Sequence, residues 1–183
     1  MPRPIIALVI GHTSASPGAV NRPAGLSEYA FNAPLATDIA SALENAPVNI
    51  QLVYRSSYRG LPAQINALKP NFIISLHCNA YNTKATGTET LYYHSSRRSQ
   101  KLATILQTHL VDTLGLADRG IKPKSSEDRG GYLLRYTHAP CVIAEPFFID
   151  NSRDLQTALS RRADLVEAYA NTILDFSSEI ARD

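Results

Sequence analysis

Short apolar runs alternate along the chain with longer segments whose apolar residues recur every three or four positions, a pattern that predicts an α/β layered domain. Pro4 to Ile10 reads as a buried first strand ending at Gly11, and Val48 to Tyr54 as a second. Phe72 to Leu76 reads as a third strand, Thr88 to His94 as a fourth and Cys141 to Phe147 as a late one. Helical spacing puts Phe31, Leu35, Ile39 and Leu43 on one face behind a Ser27 N-cap, with a kink or a restart after the first turn expected at Pro34. Leu61 to Lys69 is a short helix stopped by Pro70. In the helix Ser96 to Leu114, Leu102, Ile105, Leu106, Leu110 and Leu114 form the core face and Gly115 is the stop. A final helix starting near Asn151 or Ser152 carries Leu155, Leu159, Val166, Tyr169, Ile173 and Phe176. Two polar segments break the rhythm. Gly11 to Leu26 reads as a long loop, functional by its length, and Ala117 to Gly131 as a mobile, glycine-containing stretch. Together these elements predict one domain over residues 1–183, a mixed, mostly parallel sheet with helices on both faces.

Composition narrows the function. With 183 residues, 44% hydrophobic and 19% charged, the chain can bury a core and is not disordered. Eighteen Lys and Arg against 16 Asp and Glu give a net charge of +2, and the densest basic pairs, Arg97-Arg98 and Arg161-Arg162, sit inside helical patterns. Without a clustered basic stripe, no nucleic-acid partner is expected. Cys78 and Cys141 are too few for a disulfide framework or a thiolate zinc cluster, and both lie in apolar runs that predict burial. The longest aliphatic run, Ile5 to Ile10, falls far short of the roughly 20 residues a bilayer requires, so no membrane anchor is expected. Arg3, that run and Ser14-Ala15-Ser16 have the outline of a signal peptide, but the run is shorter than the usual apolar core of about 7–15 residues. The expectation is a leaderless chain made in the cytoplasm.

The candidate chemistry collects at strand ends, where ligands bind in open α/β sheets. His12 follows the first strand, His77 the third, and Glu145 lies near the end of the late strand, while Glu28 opens the first helix. They are spaced by 16 residues from His12 to Glu28, 49 more to His77 and 68 more to Glu145. Two imidazoles and one carboxylate form a known catalytic zinc set that leaves a fourth position for water. A further carboxylate would move protons, and Glu145, among Val142, Ile143, Ala144, Phe147 and Phe148, has surroundings that favour its protonated form. Spacing alone leaves plainer roles open. A histidine after a strand also serves as a loop or core residue, and a glutamate in a first helical turn favours the helix dipole. Glu145 is harder to set aside, because an unpaired buried carboxylate costs several kcal/mol or shifts its pKa.

Four ordered blocks carry a resemblance that goes further. Ile10-Gly11-His12 with Pro17-Gly18-Ala19 and Ser27-Glu28-Tyr29 form the first, Ile74 to Ala80 followed by Gly87 to Tyr93 the second. Arg119 to Lys122 with Leu133-Leu134-Arg135, and Ala139 to Asn151 around Glu145, complete the set. Over residues 5 to 175 the chain resembles the zinc-dependent N-acetylmuramoyl-L-alanine amidases of the amidase-3 family. The resemblance implies Zn2+ as cofactor, His12, Glu28 and His77 as metal ligands, and Glu145 as the catalytic carboxylate. It implies peptidoglycan as substrate, cut at the amide between N-acetylmuramic acid and L-alanine of the stem peptide. Asn79, Glu89 and Arg135 are candidate substrate contacts, with structural roles equally open.

Family members regulated by partner proteins carry an extra helical insertion between the second histidine and the last glutamate. Here 67 residues separate His77 from Glu145, and the predicted elements use nearly all of them. The resemblance therefore implies an unregulated, monomeric, endolysin-type amidase that reaches the cell wall after holin-type release. Arg119 and Lys122, in the polar stretch, would sit either on a solvated linker or on a rim that meets stem-peptide carboxylates. The nearest alternative activity is a zinc carboxypeptidase or other metal-dependent amidohydrolase acting on peptide amides. An inactive wall-binding module is the alternative from another class, and the presence of all four key residues argues against it.

Overall fold

The computed structural model describes residues 3–182. In chain order the elements are β1 (Ile5–Ile10), β2 (Val20–Asn21), β3 (Leu26–Ser27), α1 (Glu28–Ala42), β4 (Asn49–Tyr54), α2 (Leu61–Ala67), β5 (Phe72–Leu76), β6 (Thr88–Tyr93), α3 (Arg97–Leu114), β7 (Asp118–Lys124), α4 (Gly131–Tyr136), β8 (Cys141–Glu145), α5 (Ser152–Ser160) and α6 (Arg162–Ile180). Six strands form one sheet in the order β4-β1-β5-β8-β6-β7, and β2 pairs with β3 as a small separate hairpin. Neighbours run parallel except β6 against β8. The expected mixed, mostly parallel sheet is therefore the one observed.

Period two in the strands explains the two covered faces. Ile6, Leu8 and Ile10 of β1 join the larger core with Phe31, Leu106 and Ile173 from α1, α3 and α6. Ala7 and Val9 point the other way, against Leu61 and Ile65 of α2 and Leu133 and Leu134 of α4. Continuous apolar runs such as IIALVI belong to strands buried on both sides, and every residue of β1 after Ile5 is buried. The run that outlines a signal peptide is thus a central strand, paired with β4 on one side and β5 on the other.

Strand β1 is where the topology turns. The chain leaves it through α1 to reach β4 on one side, then crosses back through α2 to β5 on the other. The crevice outside the carboxyl ends of β1 and β5 is the ligand position such a switch creates. His12 and His77 each lie just beyond one of those ends.

The structure departs from expectation at five places. The segment expected to be mobile contains the edge strand β7, hidden by Gly120, Pro123 and charged residues; an edge position tolerates proline because one side of the strand needs no ladder bond. Val20, Asn21 and Leu26 of the long loop after β1 pair, with Ser27, as the β2–β3 hairpin. Helix α4, six residues opening on Gly130-Gly131, is too short to show a periodicity. The C-terminal helix is two helices that meet at Arg161, and Leu159, placed on the core face by periodicity, is 42% exposed. Helix α1 does not restart after its first turn but runs as one element through Pro34, whose missing N–H removes a single bond from a helix anchored by the buried Phe31, Leu35 and Ile39.

Candidate active site

Glu28 is the hub of the site. Ser27 caps α1 by accepting the Ala30 N–H at 3.2 Å, which sets Glu28 as the first helical residue, 1% exposed. Its Oε1 accepts the Cys78 N–H at 3.0 Å and lies 2.9 Å from His77 Nδ1. Its Oε2 accepts the Ala19 N–H at 3.2 Å and lies 3.3 Å from His12 Nε2. Burial alone would push this carboxyl up, but hydrogen bonds and charge from His12 and His77 outweigh it and hold it well below the ordinary carboxylate range.

One donor atom each from His12, Glu28 and His77 lies within 4.8 Å of the others, the one such group of His, Cys, Asp and Glu among the described residues. Zinc–nitrogen and zinc–oxygen bonds of about 2.0–2.2 Å place tetrahedral ligands about 3.3–3.6 Å apart, close to the 2.9 and 3.3 Å spacings around Glu28. Two glycines shape the cradle. A Cβ on Gly18, whose φ is +80°, would lie 2.6 Å from Glu28 Oε2 and 2.8 Å from His12 Cδ2, and a Cβ on Gly11 would collide with the His77 ring. The backbone thus approaches the three side chains as only glycine permits. Donor set, spacing and cradle all fit zinc.

Glu145 ends β8 on the face that carries Ile143, so its side chain enters the same crevice from the third strand. Burial raises its pKa, with Glu89 and Glu28 adding to the rise and His77 and Arg129 opposing it. A carboxyl whose proton affinity is raised by burial is suited to taking up and returning a proton. His12, His77 and Glu145 line a cleft of about 280 Å³ with Arg55, Tyr58 and Arg129. Its apolar wall is Leu61, Leu91, Leu133 and Ile143.

The candidate substrate contacts lie differently. Asn79 Nδ2 donates to Glu89 Oε1 at 2.8 Å, and Glu89 sits directly across the β6–β8 ladder from Glu145. Arg119 Nε donates to Glu89 Oε2 at 2.7 Å, and its guanidinium covers the Phe148 ring at 5.0 Å. These three tie the Glu145 strand to its neighbours, beside the cleft rather than along its wall. Arg135 stacks over Tyr93 and Tyr136 at 5.5 and 5.7 Å, apart from the residues around Glu28. The remaining histidines are elsewhere: His109 pairs with Asp175, His94 packs on Tyr93, and the His138 N–H donates to Asn66. Cys78 and Cys141 are buried free thiols, and burial pushes Cys141 up to about 12.

The sequence does not single out Arg55 or Tyr58, and it offers Arg129 only as one charge of the polar stretch that is either a solvated linker or a rim for stem-peptide carboxylates. Arg55 follows the carboxyl end of β4, so the strand-end rule that selects His12 and His77 also points to it. Arg129 sits between Asp128 and Gly130 in a stretch whose composition is that of a solvated turn, and nothing local distinguishes it.

Known proteins resemble this chain in sequence and in fold. The Amidase_3 family model, described as N-acetylmuramoyl-L-alanine amidase, matches residues 6–175. The uncharacterized protein YqiI of Bacillus subtilis is 30% identical over 151 residues, 79% of this chain and 69% of its own length. The N-acetylmuramoyl-L-alanine amidase LytC of the same organism is 29% identical over 152 residues, again 79% of this chain; the match spans only 29% of LytC. The crystal structure of an N-acetylmuramoyl-L-alanine amidase from Clostridium difficile 630 superposes with a TM-score of 0.85 at 22% identity, covering 96% of this chain and 97% of that one. Among the described residues no helix is long and apolar enough to cross a membrane.

Proposed function

The chain belongs to the Amidase_3 family of N-acetylmuramoyl-L-alanine amidases, and from that premise we propose a zinc-dependent peptidoglycan hydrolase in which His12, Glu28 and His77 hold the metal and Glu145 moves the protons. The observation that carries this reading is the convergence of two imidazoles on one buried carboxylate, beside a second carboxylate whose proton affinity is raised. The bond cut is the amide between N-acetylmuramic acid and L-alanine.

Zinc bound there lowers the pKa of water and polarises the scissile carbonyl. The protein's own groups supply the rest. Glu28, held ionised, keeps negative charge against both imidazoles and, through the Cys78 and Ala19 N–H groups, fixes their positions. Glu145 accepts a proton from the attacking water at its carboxylate. It then returns that proton to the alanine nitrogen, which must be protonated to leave. Asn79 and Glu89 steady the strand end from which Glu145 projects. The side chains of His12 and His77 are 20% and 18% exposed, which supports a site open to substrate, and we read the wall lysis as endolysin-type, without an activating partner.

The test is metal content against activity. Purified protein should carry one zinc per chain and release soluble fragments from sacculi, His12→Ala and His77→Ala should lose both, and chelation should abolish release until zinc is restored. Full release by metal-free protein would overturn the proposal.

A further inference from the structure

We propose that Arg55 and Arg129 form a carboxylate-reading subsite, selecting stem peptides in which the residue after L-alanine presents a free carboxylate rather than a carboxamide. This rests on the amidase reading above and adds to it the charge of the substrate.

The two arginines reach the cleft from opposite sides. Arg55 follows β4, which lies beyond β1 in the sheet. Arg129 precedes Gly130, whose backbone approaches Ile143 of β8 so closely that a Cβ would sit 2.6 Å from Ile143 Cδ1. The strands that deliver His12 and His77 lie between them, so a bound chain extending from the metal set passes between two guanidiniums.

Neither guanidinium makes a hydrogen bond or ion pair among the described residues. Two arginines close by in sequence or space are held by neighbours: Arg119 by Glu89 and Phe148, and Arg135 by Tyr93. Within the cleft the acidic groups are Glu145 and, behind it, Glu28, and both have work in the proposed reaction. Arg129 feels the charge of Glu145 across the cleft, but neither guanidinium has a directly bonded anion, and the planar guanidinium fork is suited to a carboxylate. Leu61 and Leu133, with the Tyr58 ring stacked at 5.7 Å on Tyr132, supply an apolar wall for the aliphatic part of that residue. Because Arg55 and Arg129 share one small cleft with His12 and Glu145, the carboxylate they hold belongs to a residue next to the scissile bond.

The experiment compares two muramoyl peptides that differ only at the second residue, isoglutamate or isoglutamine, with wild type, Arg55→Gln and Arg129→Gln. Wild type should favour the carboxylate substrate by about tenfold or more in kcat/KM, chiefly through KM, as expected for a charge-assisted hydrogen bond. Each variant should shrink that preference, its loss falling on the carboxylate substrate more than on the carboxamide. Equal kcat/KM for the two substrates in wild type, or equal losses on both in the variants, would overturn the subsite and leave the amidase standing. Cleavage of neither substrate by zinc-loaded wild type would overturn the amidase reading and the subsite with it.

Discussion

Replacing Gly11 with alanine isolates the close approach on which the metal site depends. Gly11 lies outside the left-handed region of φ, so alanine strains no backbone there, and the whole effect falls on His77. The new Cβ would overlap three ring atoms, the farthest being Nδ1 at 2.6 Å. Bringing Nδ1 out to an ordinary contact at 3.4 Å moves it by about 0.8 Å, enough to disturb its 2.9 Å contact with Glu28 Oε1. Metal–ligand distances tolerate only about ±0.2 Å. Zinc affinity should therefore fall by about 10–100-fold, the usual cost of disturbing a ligand's orientation. Hydrolysis of sacculi should fall by about 100-fold. Overpacking should cost the metal-free protein about 1–3 kcal/mol, or some 2–4 °C of Tm per kcal/mol in a chain of this size. Gly115→Ala is the control: φ is +64° with no atom within 4 Å, so it should cost about 1 kcal/mol and leave zinc untouched. The assays are chelator competition for zinc and calorimetry of both variants. Wild-type zinc affinity and turnover in Gly11→Ala would refute the reasoning.

Three further outcomes follow from the same contacts. In metal-free protein, Glu145→Gln should raise Tm relative to wild type at alkaline pH, and the gain should shrink as pH falls toward 4.5. The sign follows from the raised pKa: the folded state holds the Glu145 proton more tightly than the unfolded chain, so ionisation above that window costs stability, which glutamine avoids. A Tm difference independent of pH would contradict this. Asp154→Ala should lower Tm by about 10 °C, because the buried carboxylate accepts Thr86 Oγ1 at 2.6 Å and the Gly87 and Phe148 N–H groups at 3.2 and 3.1 Å, donors that would be left unpaired at about 1–3 kcal/mol each. Arg135→Ala should change kcat/KM less than twofold and stability by about 1 kcal/mol or less, since its two ring contacts lie apart from the Glu28 cluster; a tenfold rise in KM would return it to the substrate.

Much of the frame was legible because burial leaves a sequence trace. β1, β5 and β8 are buried on both faces and read as near-continuous apolar runs, and α3 shows its cap, its stripe and its glycine stop. β7 was not legible: an edge strand has little to bury, so Asp118, Arg119, Gly120 and Lys122 look like a turn until β6 supplies the partner. The break at Arg161 carries no glycine or proline, and Leu155, Ala158, Leu165 and Tyr169 keep a helical spacing across it, so the pattern reads as one helix. The site divides in the same way. His12, His77 and Glu145 stand out because strand ends and an apolar setting make them conspicuous, and Glu28 because it opens a helix. Arg55 and Arg129 acquire meaning only from the cleft that brings them to the same space.

The central claim is that this site cuts one bond, with Glu145 as its proton carrier. Mass spectrometry of purified sacculi digested by wild type and by Glu145→Gln, with zinc measured in both proteins, tests it most directly. The account predicts free stem peptides with an L-alanine amino terminus from wild type, and intact glycan–peptide linkages from a variant that still holds stoichiometric zinc. Intact linkages after digestion by zinc-loaded wild type, or equal release by the variant, would contradict it.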